Sequence, residues 1–214
     1  MHPKTIHYSG KPIGKASKAV ILLHGRNAPA AEMLSLKDEL GLTDEEFAVV
    51  VPEAYNNSWY PLSFLAPTEQ NEPWLSSALS TLEQLETELN QKGIVSGDIY
   101  FFGFSQGACL CLEYVTRNAK RYGGVVAVIG GLIGESINTG DYISNFEETP
   151  VLLATSHPDA HVPRDRVRKT AEILELKNAR VNLQIMENGG HRVLPEEITL
   201  ARKLFTGSQG NTEL

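Results

Sequence analysis

The sequence predicts an α/β protein with a mostly parallel central sheet, helices on both faces and no separate cap domain. Three observations carry that expectation. Short continuous aliphatic runs recur at residues 19–23, 47–51, 125–129 and 151–155, too uniformly apolar for a strand with one wet face and suited to strands buried on both. Between them lie longer segments with helical rather than two-residue spacing of their apolar positions. Finally, the residues best suited to chemistry fall just after the apolar runs, at the carboxyl ends of the strands, where open α/β sheets bind ligands.

Length and composition narrow the possibilities. At 214 residues, 42% hydrophobic and 21% charged, the chain suffices for one well-packed domain and is short for two, so a single domain over 1–214 is expected. The formal net charge of −7, without a lysine or arginine run, argues against nucleic acid or an anionic membrane as partner and leaves small molecules. MHPKTIHYSGKPIGK lacks the apolar core of a signal peptide, and no run is long enough to insert in a membrane, so the expected location is cytoplasmic. Cys109 and Cys111, two apart on a helical segment, point in different directions and read as buried core thiols, neither a disulfide nor a metal site. No cofactor or metal is expected, and the composition is compatible with a homodimer.

Taken in order, residues 5–9 read as an edge strand and 19–23 as a buried strand ending in His24-Gly25-Arg26-Asn27. AAEMLSLKDEL (30–40) has helical spacing up to Gly41, and FAVVV (47–51) completes a first βαβ unit. Residues 52–73, irregular, aromatic and proline-rich, read as a binding loop. WLSSALSTLEQLETELNQK (74–92) is an amphipathic helix closed by Gly93. Beyond the segment 98–118, treated next, VVAVI (125–129) leads to Gly130-Gly131-Leu132. VLLAT (151–155) is followed by the loop SHPDAHVP, a charged helix over about 164–178, the strand 181–187, the loop NGGHRVLP and a last helix over about 196–205. Residues 206–214 read as a frayed tail.

The segment DIYFFGFSQGACLCLEYVTRN (98–118) organises the rest. Ile99 to Phe102 suit a buried strand, Ala108 to Val115 follow a helical period, and Ser105 stands at the corner between Gly103 and Gly107. This is the G-x-S-x-G elbow, in which a strained turn projects the serine hydroxyl upward and side chains two positions either way would strike backbone. A serine hydroxyl is a weak nucleophile, so it needs a general base and an acid to orient that base. In hydrolases with this elbow the chain order is serine, acid, histidine, which removes His2, His7 and His24 and leaves His157, His161 and His191. His191 is preferred because it follows the last strand among small neighbours, Gly189 and Gly190. Asp159, in the loop after strand 151–155, is the preferred acid, with Asp141 as runner-up. The oxyanion donors expected are the backbone amides of Gln106, at the start of the elbow helix, and of Arg26.

Together LLHG (22–25), SWYPLSF (58–64), GFSQGA (103–108), the glycine pair before Leu132, HPDAHVP (157–163) and GGH (189–191) resemble the phospholipase/carboxylesterase family of α/β-hydrolases, which includes bacterial carboxylesterases and acyl-protein thioesterases. The likeness spans nearly the whole chain. It implies an α/β-hydrolase fold, a catalytic triad of Ser105, Asp159 and His191, oxyanion amides from Arg26 and Gln106, and Trp59, Leu132 and Val162 near the acyl group. One departure is local: members often read H-G-x-G-D where this chain has His24-Gly25-Arg26-Asn27-Ala28, and asparagine is the residue best able to replace glycine in a left-handed turn. The expected activity is hydrolysis of small-molecule carboxylic esters of short to medium acyl chains through an acyl-enzyme. Lysophospholipids and acyl-protein thioesters are the alternative substrates, and a non-catalytic ligand-binding protein on the same scaffold is the alternative class. Because the core consumes most of the chain, 52–73 is too short for a lid domain, and an open groove without activation at a lipid interface is expected.

Overall fold

In the computed structural model, which describes residue 2 and residues 5–207, seven strands form one sheet in the order β1-β3-β2-β4-β5-β6-β7. They are β1 (Ile6–Gly10), β2 (Lys18–Leu23), β3 (Phe47–Pro52), β4 (Ile99–Phe104), β5 (Gly124–Val128), β6 (Pro150–His157) and β7 (Arg180–Glu187). Only β1, at one edge, runs antiparallel, pairing Tyr8 with Val50. The other pairs are parallel, as the long crossovers require. Strands β3 and β5 are buried throughout and β2 nearly so, which accounts for their unbroken aliphatic sequences, whereas edge strand β7 alternates toward solvent.

Among the described residues the α-helices are α1 (Ala30–Leu34), α2 (Trp74–Gln91), α3 (Gln106–Arg117), α4 (Arg164–Leu176) and α5 (Pro195–Thr206). Successive side chains of β4 show how they sandwich the sheet. Phe101 packs against Tyr114 of α3 and against Tyr122, while its neighbour Tyr100, on the opposite face, packs edge-on against Phe205 of α5. Between α2 and α3 the buried carboxylate of Glu86 accepts from Tyr114 Oη at 2.6 Å and Lys120 Nζ at 2.8 Å. Both cysteines are free and buried, and burial pushes the Cys109 thiol up to about 12, which keeps it protonated. Among the described residues no helix is long and apolar enough to cross a membrane, and no cluster of three or more His, Cys, Asp or Glu could hold a metal ion.

Most boundaries fall within one or two residues of expectation, and three differences have a physical cause. The 30–40 helix stops at Leu34 because the Ser35 hydroxyl takes the Glu32 carbonyl at 2.7 Å, and the amides of Ser35, Leu36 and Lys37 bond three residues back, after which irregular turns lead to Gly41, whose φ is +70°. Strand β6 runs on through Ser156 and His157, paired with Met186 and Glu187, so its loop begins at Pro158. Thr206 is the last residue of α5 and Gly207 its left-handed cap, while the rest of the expected tail, 208–214, lies outside the described residues.

Candidate active site

The loops after β2, β4, β6 and β7 meet over the carboxyl edge of the sheet, and the elbow sits among them. Ser105 has φ 52° and ψ −117°, a conformation that a non-glycine residue adopts only when its surroundings enforce it. Its amide donates to Val128 O at 2.9 Å, tying the corner to β5. Both glycines are sterically required: a Cβ on Gly103 would lie 2.5 Å from Gly107 O, and one on Gly107 would lie 2.3 Å from Leu23 O. Strand-to-helix packing this close thrusts the hydroxyl out of the sheet.

Opposite the hydroxyl, His191 Nε2 lies 2.8 Å from Ser105 Oγ, and His191 Nδ1 lies 2.8 Å from Asp159 Oδ2. The carboxylate can only accept, so Nδ1 carries the proton and Nε2 is left to accept from the serine. Asp159 is itself held: its Oδ1 accepts the amides of His161 at 2.8 Å and Val162 at 2.9 Å. Burial works to raise its pKa, but the His161 amide, the His191 ring and the Val162 amide outweigh it, and the carboxyl lies below its ordinary 3.8. The Asp159 side chain is fully covered while that of His191 is 29% exposed, so the line from acid to base to hydroxyl runs from protein interior to solvent.

The runner-up acid and the buried carboxylate of the elbow helix are both engaged elsewhere. Asp141 pairs with Arg117 at 3.4 Å, and buried Glu113 on α3 receives the Ile133 amide at 3.1 Å, Tyr142 Oη at 3.0 Å and Arg117 Nε at 2.7 Å. His161 stacks edge-on against the His191 ring, centroids 5.1 Å apart, and contributes its amide rather than its ring to Asp159. His157 belongs to β6.

His24 is structural. Its Nδ1–H donates to Gly25 O at 2.8 Å, its Nε2 accepts from the Ala54 amide at 3.2 Å, and its ring packs on Trp59. Burial holds its pKa below the ordinary 6.5. A histidine kept neutral in the fold binds its proton first in the unfolded chain. Its contribution to stability is therefore complete above pH 6.5 and is lost as pH falls below that value toward the folded-state pKa. The expected result is a thermal midpoint that drops from pH 6.5 downward, with a shallower drop in His24→Gln, read from melts across that range.

For the oxyanion, the Gln106 amide is the first in α3 and has no carbonyl one turn back to bond. After β2, Asn27 N donates to Asn57 O at 2.8 Å and Ala28 N to Gly25 O at 3.3 Å, leaving the Arg26 amide without a backbone acceptor among the described residues. Asn27 adopts φ 64°, the left-handed turn a glycine would otherwise provide.

The side chains of these two residues do something the sequence did not disclose: they fix the 52–73 loop. Arg26 donates to Pro61 O at 2.7 Å, Leu62 O at 2.5 Å and Ser58 Oγ at 3.2 Å. Gln106 accepts the Trp59 amide at 3.0 Å and donates to Tyr60 O at 2.7 Å. Buried Asn71 closes the loop on itself, accepting Leu62 N at 2.9 Å and donating to Ser63 O at 3.1 Å. Gln106→Ala would keep the backbone donor but strand the buried Trp59 amide, so we expect a loss of about 1–3 kcal/mol in urea unfolding and a far smaller loss of turnover than any change to Ser105 or His191.

Beneath the loop lies a cavity of about 600 Å³ reaching Ser105 and His191, with Tyr60, Phe64, Leu65, Cys109 and Val162 on its apolar side. Of the three residues that the resemblance implies near the acyl group, Val162 lines this cavity. Trp59 and Leu132 are corrections: both are fully buried and neither lines the cavity. The Trp59 indole turns inward to donate to His24 O at 2.9 Å, and Leu132 sits behind the wall, its amide bonded to Thr170 Oγ1 at 3.0 Å. Tyr60 and Phe64, from the same quoted motif, line the wall. A large aromatic with a polar N–H gains most from full burial beside a carbonyl, which is where Trp59 sits.

A family model described as Phospholipase/Carboxylesterase matches residues 9–206. Among solved structures, a phospholipase/carboxylesterase from Dyadobacter fermentans is similar with a TM-score of 0.93 and 46% identity, over 96% of this chain and 97% of that one. The Bacillus cereus carboxylesterase, at 18% identity and a TM-score of 0.76 over 94% and 93% of the two chains, shares the fold. Acyl-protein thioesterase 1 of Yarrowia lipolytica is 24% identical over 197 residues, covering 84% of this chain and 87% of its own.

Proposed function

The chain belongs to the phospholipase/carboxylesterase family of α/β-hydrolases, and from that premise we propose that it is a serine carboxylesterase, cleaving esters of short to medium acyl chain through an acyl-enzyme on Ser105. One observation carries the reading: the unbroken line from Asp159 Oδ2 through His191 to Ser105 Oγ, both links 2.8 Å. His191 Nε2 takes the serine proton as Oγ attacks the ester carbonyl, and the amides of Arg26 and Gln106 receive the developing oxyanion. The imidazolium, oriented by Asp159, returns the proton to the leaving oxygen as the C–O bond breaks. Water then attacks the acyl-enzyme with His191 again as base, releasing the acid and restoring the serine.

The apolar side of the cavity accepts the acyl chain, gaining about 0.8 kcal/mol for each methylene buried until the space is filled. The three side chains that staple the 58–63 segment favour a fixed wall over a moving lid. The test begins with a fluorophosphonate, which should label the native protein and leave Ser105→Ala unlabelled. A p-nitrophenyl ester series should then peak in kcat/KM at short to medium chains, with no jump as micelles form. A peak at palmitoyl, or a jump, would assign the 52–73 loop a lid function instead. Thioesters of the same acyl groups belong in the panel, since one relative bears the name acyl-protein thioesterase 1.

A further inference from the structure

We propose that the alcohol half of the substrate, the leaving group, carries a negative charge; the inference rests on the esterase reading and narrows its substrate class. The chain has 26 acidic residues against 19 basic and a net charge of −7, yet no Asp or Glu lines the cavity. Its charged or protonatable nitrogen side chains are Arg26, His161 and His191. The positive charge of Arg26 is uncancelled: its guanidinium donates only to neutral oxygens, the Pro61 and Leu62 carbonyls and the Ser58 hydroxyl, and makes no ion pair among the described residues. The nearby negative charge, on Asp159, is fully covered and engaged by His191 and two amides.

Position along the groove decides which half of the ester meets this charge. Cys109, Tyr60, Phe64 and Val162 are buried and line the inner, apolar part, while Arg26 and His161 are exposed. An acyl chain goes inward. The leaving group must lie over His191 Nε2 to take its proton, and His161 packs against that same ring. The ring nitrogens of His161 have no hydrogen-bond partner among the described residues, and an imidazole N–H there can donate to an anion. A cleft lined by one sign of charge concentrates ligands of the other, even on a protein of net like charge.

The test compares 3-carboxyphenyl butyrate with 3-carbamoylphenyl butyrate, alike in acyl group and shape, of which the neutral amide has intrinsically the slightly better leaving group. We expect kcat/KM to favour the carboxylate by about tenfold at low ionic strength, the ratio shrinking as salt is raised. Arg26→Gln and His161→Gln should each lower the ratio; the ratio is the readout because damage to the chemical step falls on both esters alike, and the second variant serves if the first misfolds. A ratio of one or less in the native protein overturns the inference. So does a ratio unmoved by both substitutions, or a carboxylate preference found only when the charge is placed on the acyl half, in p-nitrophenyl hemisuccinate against p-nitrophenyl butyrate. If neither phenyl ester is cleaved and the fluorophosphonate fails to label Ser105, the esterase reading falls and takes this inference with it. Labelling with cleavage of the neutral ester alone removes only the inference.

Discussion

Replacing Ser105 or His191 by alanine is expected to lower kcat on an activated ester by roughly a million-fold, and replacing Asp159 by roughly ten-thousand-fold. The inequality follows from the roles the connections assign. Serine and histidine exchange the proton directly across 2.8 Å, whereas Asp159 acts one bond further back, fixing the tautomer and orientation of the ring. Asp159→Asn should cost about as much as alanine: an amide could still accept the His161 and Val162 N–H groups through its oxygen, but its NH₂ facing Nδ1 would favour the tautomer that protonates Nε2. Asp141→Ala, which breaks a surface pair with Arg117, should leave turnover near normal. Purified variants, each checked for fold by circular dichroism, decide the matter. A dead Asp141→Ala beside an active Asp159→Ala would move the acid and end the present assignment.

How much of this could be read from sequence depended on whether the information was local. The buried strands β2, β3 and β5 declared themselves because a strand covered on both faces needs apolar residues at every position, and the elbow because a serine between two glycines stood where a buried-strand pattern gives way to a helical one. The polar end of β6 did not. Ser156 and His157 are strand because β7 offers Met186 and Glu187 to pair with, a fact about a partner some thirty residues away. Helix 30–40 failed in the opposite direction: its spacing was helical, but a single serine hydroxyl competed for the carbonyl that the next turn needed.

The site divides the same way. Chain order and position after strands sufficed to select Ser105, Asp159 and His191 for the place where the fold joins them. The cavity lining differs from the expectation at Trp59 and Tyr60, which are adjacent and both aromatic, because the indole N–H of Trp59 is taken by the His24 carbonyl while Tyr60 faces the cavity. The stapling by Arg26, Gln106 and Asn71 left no local signature, since two of the three reach backbone groups 35 to 47 residues away. Yet the economy is physical: the two residues whose amides we propose as oxyanion donors also use their side chains to hold the loop over the cavity, so the loop and the proposed donors are tied together.

That coupling gives the second large effect, at a residue with no functional group. Gly107→Ala places a methyl 2.3 Å from Leu23 O and 2.6 Å from His24 O, both backbone atoms at the end of β2. A flexible side chain could step aside; a strand end cannot, so α3 must lift away from β2. That motion parts the Gln106 amide, on α3, from the Arg26 amide, two residues past His24. A single oxyanion donor is worth about 10²–10³ in kcat, and overpacking of this kind costs about 1–3 kcal/mol of stability. We therefore expect Gly107→Ala to lose at least about a hundred-fold in kcat with a lowered melting point, and Gly107→Val to lose more. Gly97→Ala is the matched control, because a Cβ there meets nothing within 4 Å, and it should be silent in both measurements. Crystallography or hydrogen exchange on Gly107→Ala should locate the disturbance at the β2–α3 contact. Full activity and an unchanged melting point in Gly107→Ala would mean that helix and strand are not packed this closely, and the elbow geometry on which the serine assignment depends would have to be abandoned.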